Sequence, residues 1–441
     1  MSTTRSRPAD SVAALFLVLA TMLTAASGCT SRSARWPEGA AARNVQAVGY
    51  SDLDGRPGFK MAIREVNGRW YLYLGHLWHR GWSIVDVTDP ASPRIVRFIP
   101  GPENTWTIQM ELAGNRMVTA LEKIAPGWGG DPNKRFDEGV LIWDVSDPIN
   151  PKALGHYFTR ASGTHRNFYS GGRYVHLSAA APGYDGQIYE IVDVADPAKP
   201  VEVGRWWMPG QDVAHGEKPP RPGISLHGPP YVSGNLAFLS YGSGGMVILD
   251  ISDVTRPKLV STLSYSPPFL DNIGVHTVQP FQNRRLAFVN SESIAEDCRE
   301  ALPQASIVDI SDPAQPLLLS ILPRPEPPPG LPYNDFCGKG GRFGPHNVNE
   351  HQHSGDIEQQ RDLFYLTYFN AGLRVFDVRN PRQPHEVGYF IPPDPQRRYG
   401  PLPASKLVTE VEDVLVDRRG YIYITDKNQG LWILRYMGEA A

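Results

Sequence analysis

The chain has 441 residues and a formal net charge of −3, with 43 Lys and Arg against 46 Asp and Glu. Because there is no excess of positive charge to attract a polyanion, nucleic acid is excluded as an expected partner. The 42 Gly and 41 Pro residues are dispersed between short apolar runs, which is typical of the turns of an all-β protein.

The N-terminus predicts export. Two arginines precede an apolar run over residues 12–26, which has the length of a secretory signal and is too short to span a membrane. The run ends in LTAASGC, a segment similar to a bacterial lipobox, which predicts a lipid on Cys29. An ordinary signal peptide followed by a free Cys29 is the alternative. We therefore expect a signal peptide over residues 1–28, a tether over 29–43, and a lipid-anchored membrane lipoprotein, periplasmic or at the cell surface.

The rest of the chain repeats one unit, in which an apolar strand ends in Asp and is followed by a turn. Six copies are SIVDVTDPASP, LIWDVSDPINP, EIVDVADPAKP, VILDISDVTRP, SIVDISDPAQP and RVFDVRNPRQP. Each unit is long enough for four short strands, the size of a β-propeller blade. Asp at the start of a turn accepts backbone N–H bonds, so we interpret the first Asp of each copy as a turn-builder. These residues are Asp86, Asp144, Asp193, Asp250, Asp309 and Asp377.

The two ends of the repeat region complement each other. The segment NVQAVGY, residues 44–50, reads like the last strand of a unit but precedes the first full unit. The final unit, from about residue 410 to residue 437, contains three strands and lacks that fourth one. The N-terminal strand therefore completes the last blade and closes the ring, which removes open sheet edges. We predict an all-β fold, a seven-bladed β-propeller over residues 44–437.

The repeated DVxDPxxP units resemble the LVIVD-repeat β-propellers of secreted and surface bacterial proteins, and the resemblance covers nearly the whole of residues 44–437. More distantly, the layout is similar to the selenium-binding protein and methanethiol oxidase propellers. That second resemblance implies a metal held by histidines, and it directs attention to histidines that converge.

Histidine recurs at the start of the innermost strand in four successive blades. The four residues are His165, His227, His276 and His346. Innermost strands line the central channel of a propeller, so these rings should point toward one place, and neutral imidazole is a good ligand for copper, iron or zinc. Each of them could instead hydrogen-bond a neighbouring blade. In the last blade the same position falls at Asp413, beside Glu410 and Glu412. We expect a carboxylate from one of these three residues to be a further ligand or to orient a histidine.

Other residues receive weaker assignments. His76 and His79 are expected in an exposed loop, and His351 and His353 are expected to be solvated. Four tryptophans are candidates for the wall of the channel mouth or for packing between blades, namely Trp106, Trp128, Trp206 and Trp207. Cys298 and Cys337 fall in neighbouring blades on one face, where a disulfide is plausible in an oxidising compartment.

Two functions from different classes fit these features. The first is a metal-dependent oxidoreductase acting on a small molecule, and a hydrolytic centre with Glu410 or Glu412 as base follows from the same residues. The second is a non-catalytic surface platform that binds a protein or a glycan, with structural histidines. The sequence identifies no catalytic residue, and it lacks the GxSxG, Walker, dinucleotide and CxxC motifs. We expect a monomer.

Overall fold

The computed structural model describes residues 37–265, 273–281, 283–301 and 303–438. The predicted signal peptide, the lipid site at Cys29 and residues 29–36 of the predicted tether lie outside the described residues. Within the described part of the chain, no helix is both long enough and apolar enough to cross a membrane.

The strands form seven antiparallel sheets, which confirms the predicted seven-bladed β-propeller. Two N-terminal strands, β1 (Ala41–Arg43) and β2 (Val45–Ser51), precede the first complete sheet. The first sheet contains β3 (Gly58–Val66), β4 (Arg69–His76), β5 (Gly81–Asp86) and β6 (Arg94–Pro100). The second contains β7 (Thr105–Trp106), β8 (Met110–Ala113), β9 (Arg116–Lys123), β10 (Gly139–Asp144) and β11 (Lys152–Tyr157). The third contains β12 (Thr164–Phe168), β13 (Tyr174–Ala180), β14 (Gln187–Asp193) and β15 (Val201–Trp206).

The remaining sheets continue the same order. The fourth contains β16 (Tyr231–Ser233), β17 (Leu236–Ser240), β18 (Met246–Asp250) and β19 (Lys258–Leu263). The fifth contains β20 (Ile273–Phe281), β21 (Leu286–Glu292), β22 (Ala305–Asp309) and β23 (Leu317–Ile321). The sixth contains β24 (Leu363–Thr367), β25 (Leu373–Asp377) and β26 (His385–Ile391), and the seventh contains β27 (Val411–Val416), β28 (Tyr421–Asp426) and β29 (Leu431–Tyr436). One short helix, α1 (Phe336–Lys339), lies in the segment between the fifth and sixth sheets.

The N-terminal strands complete two sheets. Strand β2 pairs with β29, with Val45 opposite Tyr436, so the predicted closure of the seventh blade is confirmed. Strand β1 pairs with β26 in the sixth sheet, with Ala41 opposite Ile391. Residues 41–43, the end of the predicted tether, are therefore a strand of the propeller. The inner edge of the sixth sheet is reduced to a single bridge between Val348 and Leu366.

The repeated aspartates build the turns after the third strands, as predicted. Each carboxylate accepts the backbone N–H two residues further on, at 2.8–3.0 Å in all six copies. This bond is the physical reason why the Asp position recurs in every unit.

Glycines in the outer strands allow neighbouring blades to approach closely. A Cβ on Gly155 would lie 1.8 Å from the carbonyl oxygen of Pro197, and a Cβ on Gly204 would lie 1.9 Å from that of Val254. Both oxygens belong to the turn of the following blade, so each outer strand rests directly on the next turn. The apolar core lies between sheets, where buried side chains of adjacent blades pack face to face, such as Val118 and Ile142 against Val175.

Cys298 and Cys337 form a disulfide, with their Cα atoms 5.4 Å apart. The bond joins the loop after β21 to helix α1. Helix α1 lies shortly before Arg342, a residue of the site described below.

Candidate metal centre

Irregularities at the start of the innermost strands position several side chains of the channel. The pairing register shifts at His165 in β12, at His276 in β20 and at Glu412 in β27. An extra residue at such a bulge is left out of the ladder and its side chain is re-aimed. A bulge at the start of the innermost strand thus directs a side chain of the channel in three blades.

His227 and His346 reach the same level in a different way. The backbone N–H of His227 donates to the carbonyl of Ser240 at 2.9 Å, and that of His346 donates to Thr367 at 2.9 Å. Both acceptors lie at the end of the second strand of the blade, which is also where the bulges occur. All four predicted histidines therefore lie at one end of the channel.

The four imidazoles follow one another in a row around the channel. Ring centroids are 4.3 Å apart for His165 and His227, 5.0 Å for His227 and His276, and 4.9 Å for His276 and His346. The Nε2 atoms of His165 and His227 are 3.1 Å apart. The rings therefore form an arc of neighbours, and one ligand atom from each of His227, His276 and Glu292 lies within 4.8 Å of the other two.

Glu292 is the carboxylate at the centre of this arc. Its Oε2 lies 3.3 Å from Nε2 of His227 and 3.5 Å from Nε2 of His276, and its Oε1 lies 3.6 Å from Nε2 of His346. Glu292, which ends β21, the second strand of its blade, was not among the residues predicted from the sequence. The sequence feature that could have identified it is an acidic residue at the end of the second strand of a blade. Glu122, near the end of β9, has the same feature.

Glu122 orients the first histidine of the row. Its Oε2 lies 2.7 Å from Nδ1 of His165, and its Oε1 accepts a hydrogen bond from the Gln187 amide at 3.2 Å. A proton shared at Nδ1 leaves Nε2 of His165 with its lone pair directed toward His227. Hydrogen bonds of this kind fix the tautomer and the orientation of metal-binding imidazoles.

Arg342 holds the carboxylates on the other side of the arc. The buried guanidinium donates to Glu292 at 3.0 Å and to Glu412 at 2.9 Å, and the backbone N–H of Arg342 donates to Glu410 at 2.6 Å. Lys427 contacts both Glu410 and Glu412. This cluster neutralises most of the negative charge that burial would otherwise make costly.

The three acids predicted from the last blade take different positions. Glu412 lines the cavity, and its backbone carbonyl lies 2.8 Å from Nδ1 of His346. Glu410 lies behind it against Lys427. Asp413 faces away from the histidines and binds Lys60 at 3.1 Å and the N–H of Met61 at 2.9 Å. The bulge in β27 thus places Glu412, one residue before Asp413, level with the histidines.

Arg166 contacts the arc at His276. Its Nη2 donates to Nε2 of His276 at 3.0 Å and to the side-chain oxygen of Asn347 at 3.1 Å. Because a guanidinium has no acceptor, His276 must present its lone pair there. Nε and Nη1 of Arg166 are buried and have no hydrogen-bond partner among the described residues.

The electrostatics of the arc suit a metal ion. Burial, with the neighbouring His165, lowers the pKa of His227 to about 4, and burial lowers the pKa of His276 and of His346 well below the usual value. Burial alone would raise the pKa of Glu292, but the surrounding imidazoles outweigh it and hold that pKa well below its usual range. At neutral pH these three imidazoles are therefore neutral and Glu292 is ionised, which are the forms that bind metals.

A cavity of about 230 Å³ opens above the arc. Its polar floor contains His165, His227, His346 and Glu292, and its walls include Phe59, Trp106, Ile108 and Trp128. The other two candidate tryptophans lie elsewhere, since Trp206 packs on Tyr241 and Trp207 on Tyr184. The cavity therefore combines ligand atoms with an apolar wall of a size that suits a small molecule.

Two expectations about the remaining histidines are wrong. His76 is buried rather than exposed, and its ring bonds Ser83 at 2.8 Å and lies 3.2 Å from the carbonyl of Pro57. His351 is buried as well, 2.8 Å from Glu111, and His353 lies beside it. The segment after Val348 leaves the sheet and folds inward, so its side chains do not follow the outward direction expected for the end of a strand.

Seven small antiparallel sheets in a closed ring, with ligating side chains at the inner strands, define a β-propeller with a polar channel site. The LVIVD repeat family matches residues 189–207, 231–264 and 306–322, so the chain is a β-propeller that carries LVIVD repeats. A search of curated proteins found no match.

Solved structures share the fold at low sequence identity. A hypothetical selenium-binding protein from Sulfolobus tokodaii is 15% identical, with 87% of this chain and 92% of that chain covered and a TM-score of 0.52. A protein from Lactobacillus plantarum is 12% identical, with 84% and 88% covered and a TM-score of 0.51. At these identities the similarity extends to the fold alone.

Proposed function

We propose that this propeller binds a transition-metal ion in its channel and oxidises a small, largely apolar molecule, with dioxygen as the oxidant. The observation that carries the proposal is the arrangement of imidazole nitrogens of His227, His276 and His346 around the carboxylate of Glu292, below an apolar cavity. Ligand atoms about 2.1 Å from a tetrahedral metal ion lie ~3.4 Å apart. The nitrogen-to-oxygen distances of 3.3–3.6 Å match that spacing.

The residues of the site have separate roles in this proposal. His227, His276 and Glu292 bind the ion, and His165 and His346 complete the arc. A bound copper or iron ion supplies the redox chemistry, which the amino-acid side chains cannot provide. Trp106, Trp128 and their apolar neighbours exclude water and bind the substrate against the floor of the cavity. Binding of the ion to Nε2 of His276 requires the Arg166 guanidinium, which donates to that atom at 3.0 Å, to move away from it.

Metal content tests this centre. A full chain without a histidine tag is expected to hold one equivalent more copper, iron or zinc than a His227→Ala and His276→Ala double variant, by elemental analysis after metal loading. A His385→Ala variant, which removes an exposed histidine, should retain the parent content. The same metal content in parent and double variant would overturn the proposal and favour the binding platform. Zinc without dioxygen uptake would overturn the oxidation and favour hydrolysis.

We infer further that the protein works outside the cytoplasm, as a monomer attached to a membrane only through a lipid on Cys29. The lipobox-like segment supports this, and so does the disulfide between Cys298 and Cys337, since disulfides persist in oxidising compartments. A Cys29→Ser variant is expected to move from the membrane fraction to the soluble fraction after cell lysis, on immunoblots of the two fractions. An unchanged distribution would contradict the lipid anchor.

A further inference from the structure

A second group of ligating side chains lies near the other end of the channel. The cavity of the metal centre is lined by residues from the starts of innermost strands, such as Phe59 and His165. Glu111 instead lies in β8, whose last two residues, Leu112 and Ala113, border a different cavity of about 350 Å³. His353 borders this second cavity as well. The two groups therefore belong to different ends of the inner strands.

His351 is held as a metal-binding histidine is held. Its Nε2 donates to the backbone carbonyl of Met61 at 2.7 Å, which fixes the tautomer and leaves Nδ1 available. Nδ1 lies 2.8 Å from Oε2 of Glu111. Without a metal ion, a proton must lie between these two atoms, because both are otherwise acceptors. A metal ion would replace that proton.

His353 supplies a third ligand. Its Nε2 lies 3.9 Å from the same Glu111 oxygen and 3.3 Å from the carbonyl of Leu112. Its Nδ1 is buried and has no hydrogen-bond partner among the described residues. One ligand atom from each of Glu111, His351 and His353 lies within 4.8 Å of the other two. Nε2 is therefore the atom of His353 that faces Glu111, and a metal ion bound there would replace its contact with the Leu112 carbonyl.

We propose that Glu111, His351 and His353 form a second metal site, which binds a divalent ion such as zinc. Two imidazoles and one carboxylate are the protein ligands of many catalytic zinc sites and of mononuclear non-haem iron sites. Three protein ligands leave further coordination positions open, and one of the three, His353, borders the adjoining cavity. The site shares no residue with the channel centre, so it binds its ion independently of the proposed function.

Zinc titration of the chelator-stripped full chain tests the second site. The parent chain is expected to bind two Zn²⁺ equivalents by isothermal titration calorimetry. Glu111→Gln and His353→Ala should each reduce the stoichiometry to one, and so should the His227→Ala and His276→Ala double variant. A chain with both sets of changes should bind none, and His385→Ala should bind two.

The outcomes separate the two sites. A single equivalent in the parent that only the His227 and His276 changes remove would overturn the second site and leave the proposed function intact. A single equivalent that only the Glu111 and His353 changes remove would support the second site and overturn the metal centre of the proposed function. Glu111→Gln preserves the size of a buried side chain, and an unaltered thermal unfolding midpoint in that variant shows that a lost equivalent reflects a lost ligand. Two equivalents in both Glu111→Gln and His353→Ala would also overturn the second site.

Discussion

An Arg342→Met variant is expected to lose about 3–5 kcal/mol of unfolding free energy, the cost of removing one partner from a buried ionic cluster. Arg342 is buried and donates to Glu292, Glu412 and Glu410. Methionine fills a similar volume but leaves these carboxylates with fewer cations. Urea unfolding followed by tryptophan fluorescence measures the loss.

An exposed pair is the matched control for Arg342. Arg256 binds Asp253 at 2.9 Å, and its side chain is 81% exposed. Because water screens such a pair, Arg256→Met should leave the unfolding midpoint unchanged. If the two variants behave alike, the carboxylates around Arg342 are protonated in the native protein and the arc lacks the charge that a metal ion requires.

A Glu292→Gln variant is expected to weaken binding of the channel metal by at least ~100-fold, because the amide carries no charge and the carboxylate is the atom group closest to three imidazoles. Glu122→Gln should weaken it by ~10–100-fold, since Glu122 acts only through Nδ1 of His165. Competition with a chromophoric chelator gives both dissociation constants. Glu103→Gln, at an exposed position, is the control and should bind as the parent does.

The order of these effects tests the placement of the ion. A larger loss of metal affinity for Glu122→Gln than for Glu292→Gln would indicate that the ion lies between His165 and His227. Because the proposed second site would also bind metal, both dissociation constants are measured in a His353→Ala background.

The fold could be predicted because its causes are local and repeated. Each unit carries the same apolar strand and the same Asp that caps its turn. A wrong assignment in one unit is therefore detected by comparison with the other units. Ring closure followed from a surplus strand at one end and a missing one at the other. The pairing of β2 with β29, in which Val45 lies opposite Tyr436, could be predicted without knowledge of side-chain contacts.

The site could be predicted only where it follows the repeat. The four histidines occupy one repeated position, and counting along the chain finds them. Asp413 was placed level with them because a count cannot detect the bulge in β27, which shifts the register by one residue. Glu292 comes from a different strand, and Arg342 comes from the long segment between β23 and β24. Their roles depend on contacts between blades, which a repeat pattern does not encode.

The pairing of the first strands with the last ones also affects how the chain folds. Strands β1 and β2 join sheets whose other members come from the C-terminal quarter of the chain. During synthesis the N-terminal strands are the first to be made, yet their partners β26 and β29 are made among the last. Contacts this distant in sequence form slowly. Until they form, the ring has two unpaired edges that other chains can join, so the interval before closure is the period of greatest aggregation risk.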